Sequence, residues 1–143
     1  MNIEVNYFAV ILAGVASMAV GFLWYSPALF GKIWMKEKGL SSKNMKSAQK
    51  DMGKLYGISF IANLVTAYVL SHVISLSQNF YEYPALSTGL NSAFWMWFGF
   101  VMPVQLTATI FGNKNWQLFK IDTGYQLAAL VLMGFVLVSF PRV

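Results

Sequence analysis

The sequence predicts an all-α, polytopic integral membrane protein: four transmembrane helices, with a short amphipathic cytoplasmic helix between the first and second. Three observations carry this. Of 143 residues, 57% are hydrophobic and only 10% are charged, well below the roughly 25% charged residues of a soluble domain. Apolar stretches fall at about 7–25, 55–77, 87–111 and 116–140, each close to the ~20 residues that cross a hydrocarbon core of about 30 Å. Seven lysines and only two acids occupy residues 32–54, a net charge of +5 in one connection. By the positive-inside rule that connection is cytoplasmic. Residues 1–143 read as one transmembrane domain.

The first helix runs from about Tyr7 to Trp24. It follows Glu4 instead of a basic region and ends in bulky aromatics, so it reads as a spanning helix and not a cleaved signal peptide. Ala9, Ala13, Ser17 and Gly21 recur every four positions and form a shallow groove where a second helix can approach closely. Packing within the chain and a subunit interface are both open readings of that groove. Gly21 to Trp34 then mark the membrane boundary, with Trp24 and Tyr25 at headgroup level and Pro27 ending the helix.

After Gly39 breaks the chain, Ser41 or Ser42 can cap a new helix over about 41–54. Met45, Ala48, Met52 and Leu55 share one face, and Lys43, Lys46, Lys50 and Lys54 share the other. Such a helix lies along the inner membrane surface or extends the second span, its lysines toward water or anionic headgroups.

Helix two, about Leu55 to Ser77, carries Ser59, Asn63 and Thr66 on one side of its inner half. Asn63 needs a partner, because an unpaired amide in hydrocarbon is costly. His72 lies nearer the outer end and, as the only histidine, is a poor metal ligand; an interfacial role or proton transfer are its readings. The connection 78–85 has no lysine or arginine and belongs outside. Ser87 or Thr88 then caps helix three. Of Trp95 and Trp97, one should pack inside. Pro103 bends the helix by freeing a carbonyl near Gly99, with Gln105, Thr107 and Thr109 following. That bend either lines a hydrated path or is repaired by local hydrogen bonds.

Asn113 to Asn115 turn the chain back, and helix four runs from about Trp116 to Phe140. Lys120 and Asp122 fall in its first two turns, where a carboxylate meets the positive end of the helix dipole. Asp122 reads as an interfacial capping acid or as a buried functional one. Gly124 and Ala128 provide another close helix contact.

Two segments carry a family resemblance. Trp24-Tyr25-Ser26-Pro27 with Leu29-Phe30-Gly31-Lys32 and Trp34-Met35 is the first. Phe111-Gly112, Trp116, Ile121-Asp122-Thr123-Gly124-Tyr125-Gln126 and Leu132-Met133-Gly134 make the second. Together they resemble a family of small prokaryotic and fungal membrane proteins, domain of unknown function 1761. The resemblance implies a four-helix membrane fold and brings no catalytic or ligand residues; Asp122 departs from it, being more polar than the residue it implies there.

The chain has no cysteine, which removes thiol chemistry and disulfides. It shows no nucleophile with a base, metal cluster, paired carboxylates or phosphate-cradling loop. The expectation is therefore no enzyme, no cofactor and no metal, and no nucleic-acid partner, since the lysines sit in one loop. Two functions remain. An oligomeric transport or channel module would line its path with Asn63, Gln105, Thr109 and Asp122, with His72 as a further polar candidate. A structural or regulatory protein would bind a partner or an anionic lipid instead. Membrane lipids and further copies of the chain are the expected partners, in a cell membrane with both termini outside. One hydrated cavity shared by Asn63 and Gln105 would favour transport; separate placements would favour the second reading.

Overall fold

The computed structural model describes residues 5–40, 52–112 and 115–140. Among these the chain is helical, without strands: α1 (Tyr7–Trp24), α2 (Gly31–Glu37), α3 (Met52–Tyr81), α4 (Ala85–Phe111) and α5 (Trp116–Ser139). All except α2 are long and apolar enough to cross a membrane. The amphipathic segment predicted over 41–54 lies outside the described residues up to position 51, as do Asn113, Lys114 and the tail 141–143. Met52 and Lys54 belong to α3.

Local chemistry explains the helix ends. Asn6 caps α1 by accepting from the Ala9 N–H at 3.1 Å, and Asn115 caps α5 by accepting from Gln117 N–H at 2.8 Å; both satisfy amides that have no partner within the helix. α2 closes at Gly39 (φ 65°), where Gly39 N–H meets Lys36 O and Leu40 N–H meets Met35 O, the paired bonds of a Schellman end.

α5 is the element against which the others pack. α1 and α4 lie on it along their lengths, α3 contacts it too, and α1 and α4 each touch α3. Small residues permit this. Ala13, Ala67 and Ala93 are fully buried and surround Leu70, Leu130 and Met133. Gly89 and Gly134 mark the crossing of α4 and α5: a Cβ on Gly134 would lie 2.6 Å from Gly89 O, and one on Gly89 would lie 2.8 Å from Gly134 O. Outward faces stay apolar, as with Ile61 at 62%, Val104 at 67% and Phe100 at 68% exposed, which is the pattern of helices solvated by lipid chains.

The packing fixes which ends lie together. Trp24 at the end of α1 reaches Ile121 near the start of α5, and Phe22 stacks at 5.1 Å on Tyr56 near the start of α3. α4 begins beside the end of α5 and runs back toward its start, where Trp97 meets Thr123. The described lysines Lys32, Lys36, Lys38, Lys54 and Lys120 therefore gather at one end of the molecule.

Three features differ from the sequence reading. α2 was not anticipated, because seven residues with three charges carry too little periodicity. Helix two extends beyond 55–77 at both ends. Helix three begins at Ala85, its cap position held by Pro84 (ψ 138°) and not by Ser87 or Thr88; the Thr88 hydroxyl bonds back to Pro84 O at 3.2 Å. Within α4, Trp97–Val101 forms a π turn immediately before Pro103, the wider winding that absorbs a missing backbone donor.

Candidate functional site

The lysine-bearing end holds a set of side-chain hydrogen bonds that join α1, α2 and α5. Past Trp24 the chain reverses: Ser26 N–H bonds Leu23 O, Phe30 N–H bonds Trp24 O, and Gly31 N–H bonds Ser26 O at 3.0 Å. A Cβ at Gly31 would lie 2.2 Å from Tyr25 O, so only glycine lets α2 start this close to the end of α1. That turn brings Trp24, Tyr25 and Trp34 to one wall of α5.

Asp122 is the hub. Its Oδ1 accepts from the Tyr25 hydroxyl at 2.8 Å and from Trp34 Nε1 at 3.1 Å, while Trp24 Nε1 donates to Ile121 O at 3.0 Å. The Tyr25 ring meets Trp34 and Tyr125 edge to face, each at 5.3 Å, and Trp24 packs on Phe30 at 4.7 Å. Gly124 makes room for the Trp24 ring and Gly21 for the Tyr125 hydroxyl. Lys38 places its ammonium 4.3 Å from the Trp34 ring centre, a favourable cation–π distance. At the far end of α2, Asn115 Nδ2 donates to Glu37 Oε2. Tyr25 lies just beyond the α1 span; burial first, then the hydrogen bond to Asp122, then the charges of Asp122 and Tyr125 hold its phenol well above the usual range.

Beside this cluster, α1, α3 and α5 border a cleft of about 490 Å³. Phe22, Tyr25, Tyr56 and Tyr125 supply aromatic walls, and Ser59 and Asn63 supply polar groups. Tyr25 belongs to both cleft and cluster.

The predicted site residues therefore do not converge. Asn63 lines the cleft. Asp122 stands behind Tyr25 in the cluster. Gln105 does not line the cleft; it sits on α4, where its carbonyl accepts from the Thr109 hydroxyl at 2.8 Å, as Pro103 O does from Thr107 at 2.9 Å. His72 contacts Tyr68, with Nδ1 2.9 Å from its carbonyl oxygen and the rings 4.4 Å apart. Ala9, Ala13 and Ser17 are buried within the chain, and Ala128 is half-buried. Trp97, not the exposed Trp95, turns inward and donates to Thr123 O at 2.9 Å. Trp116 is exposed beside Phe119, and Pro27 lines the cleft mouth.

What sequence reasoning missed is the meeting of the two signature segments. Residues 24–34 and 121–125, almost a hundred positions apart, form a single hydrogen-bonded, ring-packed unit. The family described as protein of unknown function (DUF1761) matches this chain over residues 8–138. The chain belongs to that family. No curated protein and no solved structure is significantly similar to it. In this DUF1761 protein, Asp122 is the point at which both halves of the signature are joined. The available signal was chemical: one acid facing a stretch with three indole or phenol donors.

Proposed function

We propose that this DUF1761 protein is a non-enzymatic, non-transporting multi-pass membrane protein that binds an anionic lipid at its lysine-bearing end. That end faces the cytoplasm, both termini lie outside, and the cleft between α1, α3 and α5 takes the part of the lipid next to the headgroup.

The separation of Asn63 from Gln105 carries this reading. The hydroxyls of Thr107 and Thr109 are bonded to carbonyls of their own helix, and Gln105 of that helix is not among the residues that line the cleft with Asn63, so these groups do not form one shared polar path. A cleft with aromatic walls and a few amide and hydroxyl groups suits an amphiphile at headgroup depth. Lys54 lies two residues before the cleft residue Tyr56, and Lys32 and Lys36 stand on α2 just past Pro27. Each lysine near an anionic surface contributes about 1 kcal/mol.

The test is native mass spectrometry of protein released from nanodiscs holding phosphatidylglycerol and phosphatidylcholine in equal parts, alongside ion and small-solute flux from liposomes. The reading expects retained phosphatidylglycerol, reduced by Asn63→Leu and by Lys54→Gln, with no protein-dependent flux. Protein-dependent flux that Asn63→Leu abolishes would establish transport instead.

A further inference from the structure

At the end opposite the lysines, the last turns of α3, the connection after it and the first turns of α4 border a cleft of about 380 Å³. Tyr81, Tyr83 and Trp95 line it, and all three side chains are exposed. The Tyr81 and Tyr83 rings stack 5.5 Å apart with their planes 7° from parallel. Val73 and Met96 add apolar surface, and Ser77, Asn91 and Ser92 add polar groups. Among the described residues none of these three polar side chains has a hydrogen-bond partner, although Ser92 is only 6% exposed. The Thr88 hydroxyl, in contrast, is taken up by Pro84 O. Tyrosine and tryptophan are common at the rim of a membrane bundle. Here three of them meet at one cleft whose polar groups keep hydrogen-bonding capacity to spare.

The rings select for positive charge. Tyrosine and tryptophan faces carry negative potential and attract a cation placed over them. Glu82, the one charged residue from position 73 to position 96, is exposed between the two tyrosines and adds a negative field at the mouth. Three residues separate the carbonyl end of α3 from the amide end of α4, so the two helix dipoles offset each other and the rings with Glu82 decide the sign. A primary ammonium is a compact, strongly hydrated charge that must give up water to enter. A quaternary ammonium has no N–H donor to satisfy, and its methyl groups also suit Val73 and Met96. A hydroxyl or ester oxygen beside that nitrogen would meet Asn91 and Ser92. We propose that this cleft binds a quaternary ammonium group, carried by a free small molecule or by a lipid headgroup. It lies at the other end of the helices from the anionic-lipid cleft and shares no lining residue with it, so the two readings stand or fall separately.

Choline is the probe, with saturation-transfer NMR on the full chain in an uncharged maltoside detergent and protein-free micelles as the blank. The site predicts transfer to the choline methyls. It predicts much weaker transfer to the carbon isostere, in which a neutral tert-butyl group replaces the trimethylammonium. Trp95→Leu, at an exposed ring, should leave the thermal midpoint unchanged and raise the choline Kd about threefold to fivefold, while Trp95→Phe, which keeps a ring, should raise it less. Native mass spectrometry of protein released from the mixed phosphatidylglycerol and phosphatidylcholine nanodiscs separates the sources. Retained phosphatidylcholine that Trp95→Leu lowers identifies the lipid headgroup; retention that the change leaves as it was, or none, identifies a free solute. No protein-dependent transfer to choline overturns the proposal, as does equal transfer to the isostere or a Trp95→Leu protein with the wild-type Kd.

Discussion

The Tyr25 hydroxyl donates a 2.8 Å hydrogen bond to Asp122 Oδ1 across 97 residues of sequence. Trp34 uses the same oxygen, so one carboxylate ties the end of α1, the short α2 and the second turn of α5 together. A single acceptor serving two donors makes their contributions interdependent, and the position of α2 rests on both.

That sharing is measurable by a double-mutant cycle. Tyr25→Phe and Trp34→Phe each remove a hydrogen bond to a carboxylate, and each should lower stability in detergent by about 1.5 kcal/mol, the low end for charged acceptors because the site is only half-buried. The cycle should show a coupling of at least about 0.5 kcal/mol, since the partners touch and share an oxygen. Asp122→Leu should cost more than either single change, and Asp122→Asn, which keeps an acceptor, should cost less. Strictly additive losses would mean that α2 does not depend on this hub.

The raised phenol of Tyr25 gives a pH test. Its neutral form is the one the fold favours, through burial and then through Asp122. Its contribution to stability is therefore complete below the ordinary tyrosine value of about 10 and is lost as the pH rises above it. With stability followed as thermal midpoints in detergent across the alkaline range, Tyr25→Phe should flatten the fall in stability above the ordinary tyrosine value. A variant that loses stability as steeply as the wild type there would contradict the assignment.

The four long helices were legible because the signal for a membrane span is composition over some twenty residues, and lipid demands it at nearly every position. The lysine cluster between helices one and two was legible for a related reason, since charge is rare elsewhere. α2 was not: its seven residues are placed by Gly31 and by bonds to Asp122 and Asn115, and none of these leaves a periodic trace. Asp122 was singled out as either an interfacial cap or a buried functional acid. Its real neighbours, Tyr25 and Trp34, come from the other signature segment, and pairing across 97 positions is not written in either one alone. Pro103 announced a bend, but the proline alone does not say that the helix meets it by winding wider over Trp97–Val101.

The glycines separate into positions where a side chain is excluded and positions where it is not. Gly134→Ala would drive a Cβ against Gly89 O and Ala93. Backbone cannot yield as a flexible side chain does, so α4 and α5 must move apart at a cost of about 1 to 3 kcal/mol. Nothing lies within 4 Å of a Cβ built at Gly57 in α3. Gly57→Ala should gain a few tenths to about 1 kcal/mol of helix stability. Thermal midpoints of the two variants in the same detergent should move in opposite directions, and a stabilised Gly134→Ala would show that the α4–α5 crossing is looser than it stands.

Among the described residues two occupy the left-handed region, Gly39 at φ 65° and Glu82 at φ 54°. The first follows α2 and is a glycine, which takes that conformation at no steric cost. The second follows α3, where Glu82 N–H bonds Gln78 O at 3.1 Å and a Cβ costs roughly 1 kcal/mol or more. Glu82→Gly relieves that strain, while the greater freedom of glycine in the unfolded chain offsets part of the gain, leaving about 0.5 kcal/mol of net stabilisation. Glu82→Ala keeps the Cβ and is the control, expected to show no such gain. Gly39→Ala introduces the strain that Glu82 already bears and should destabilise by about 1 kcal/mol. Denaturant unfolding of the three variants decides it: if Glu82→Ala stabilises as much as Glu82→Gly, the gain comes from the lost charge and not from the backbone.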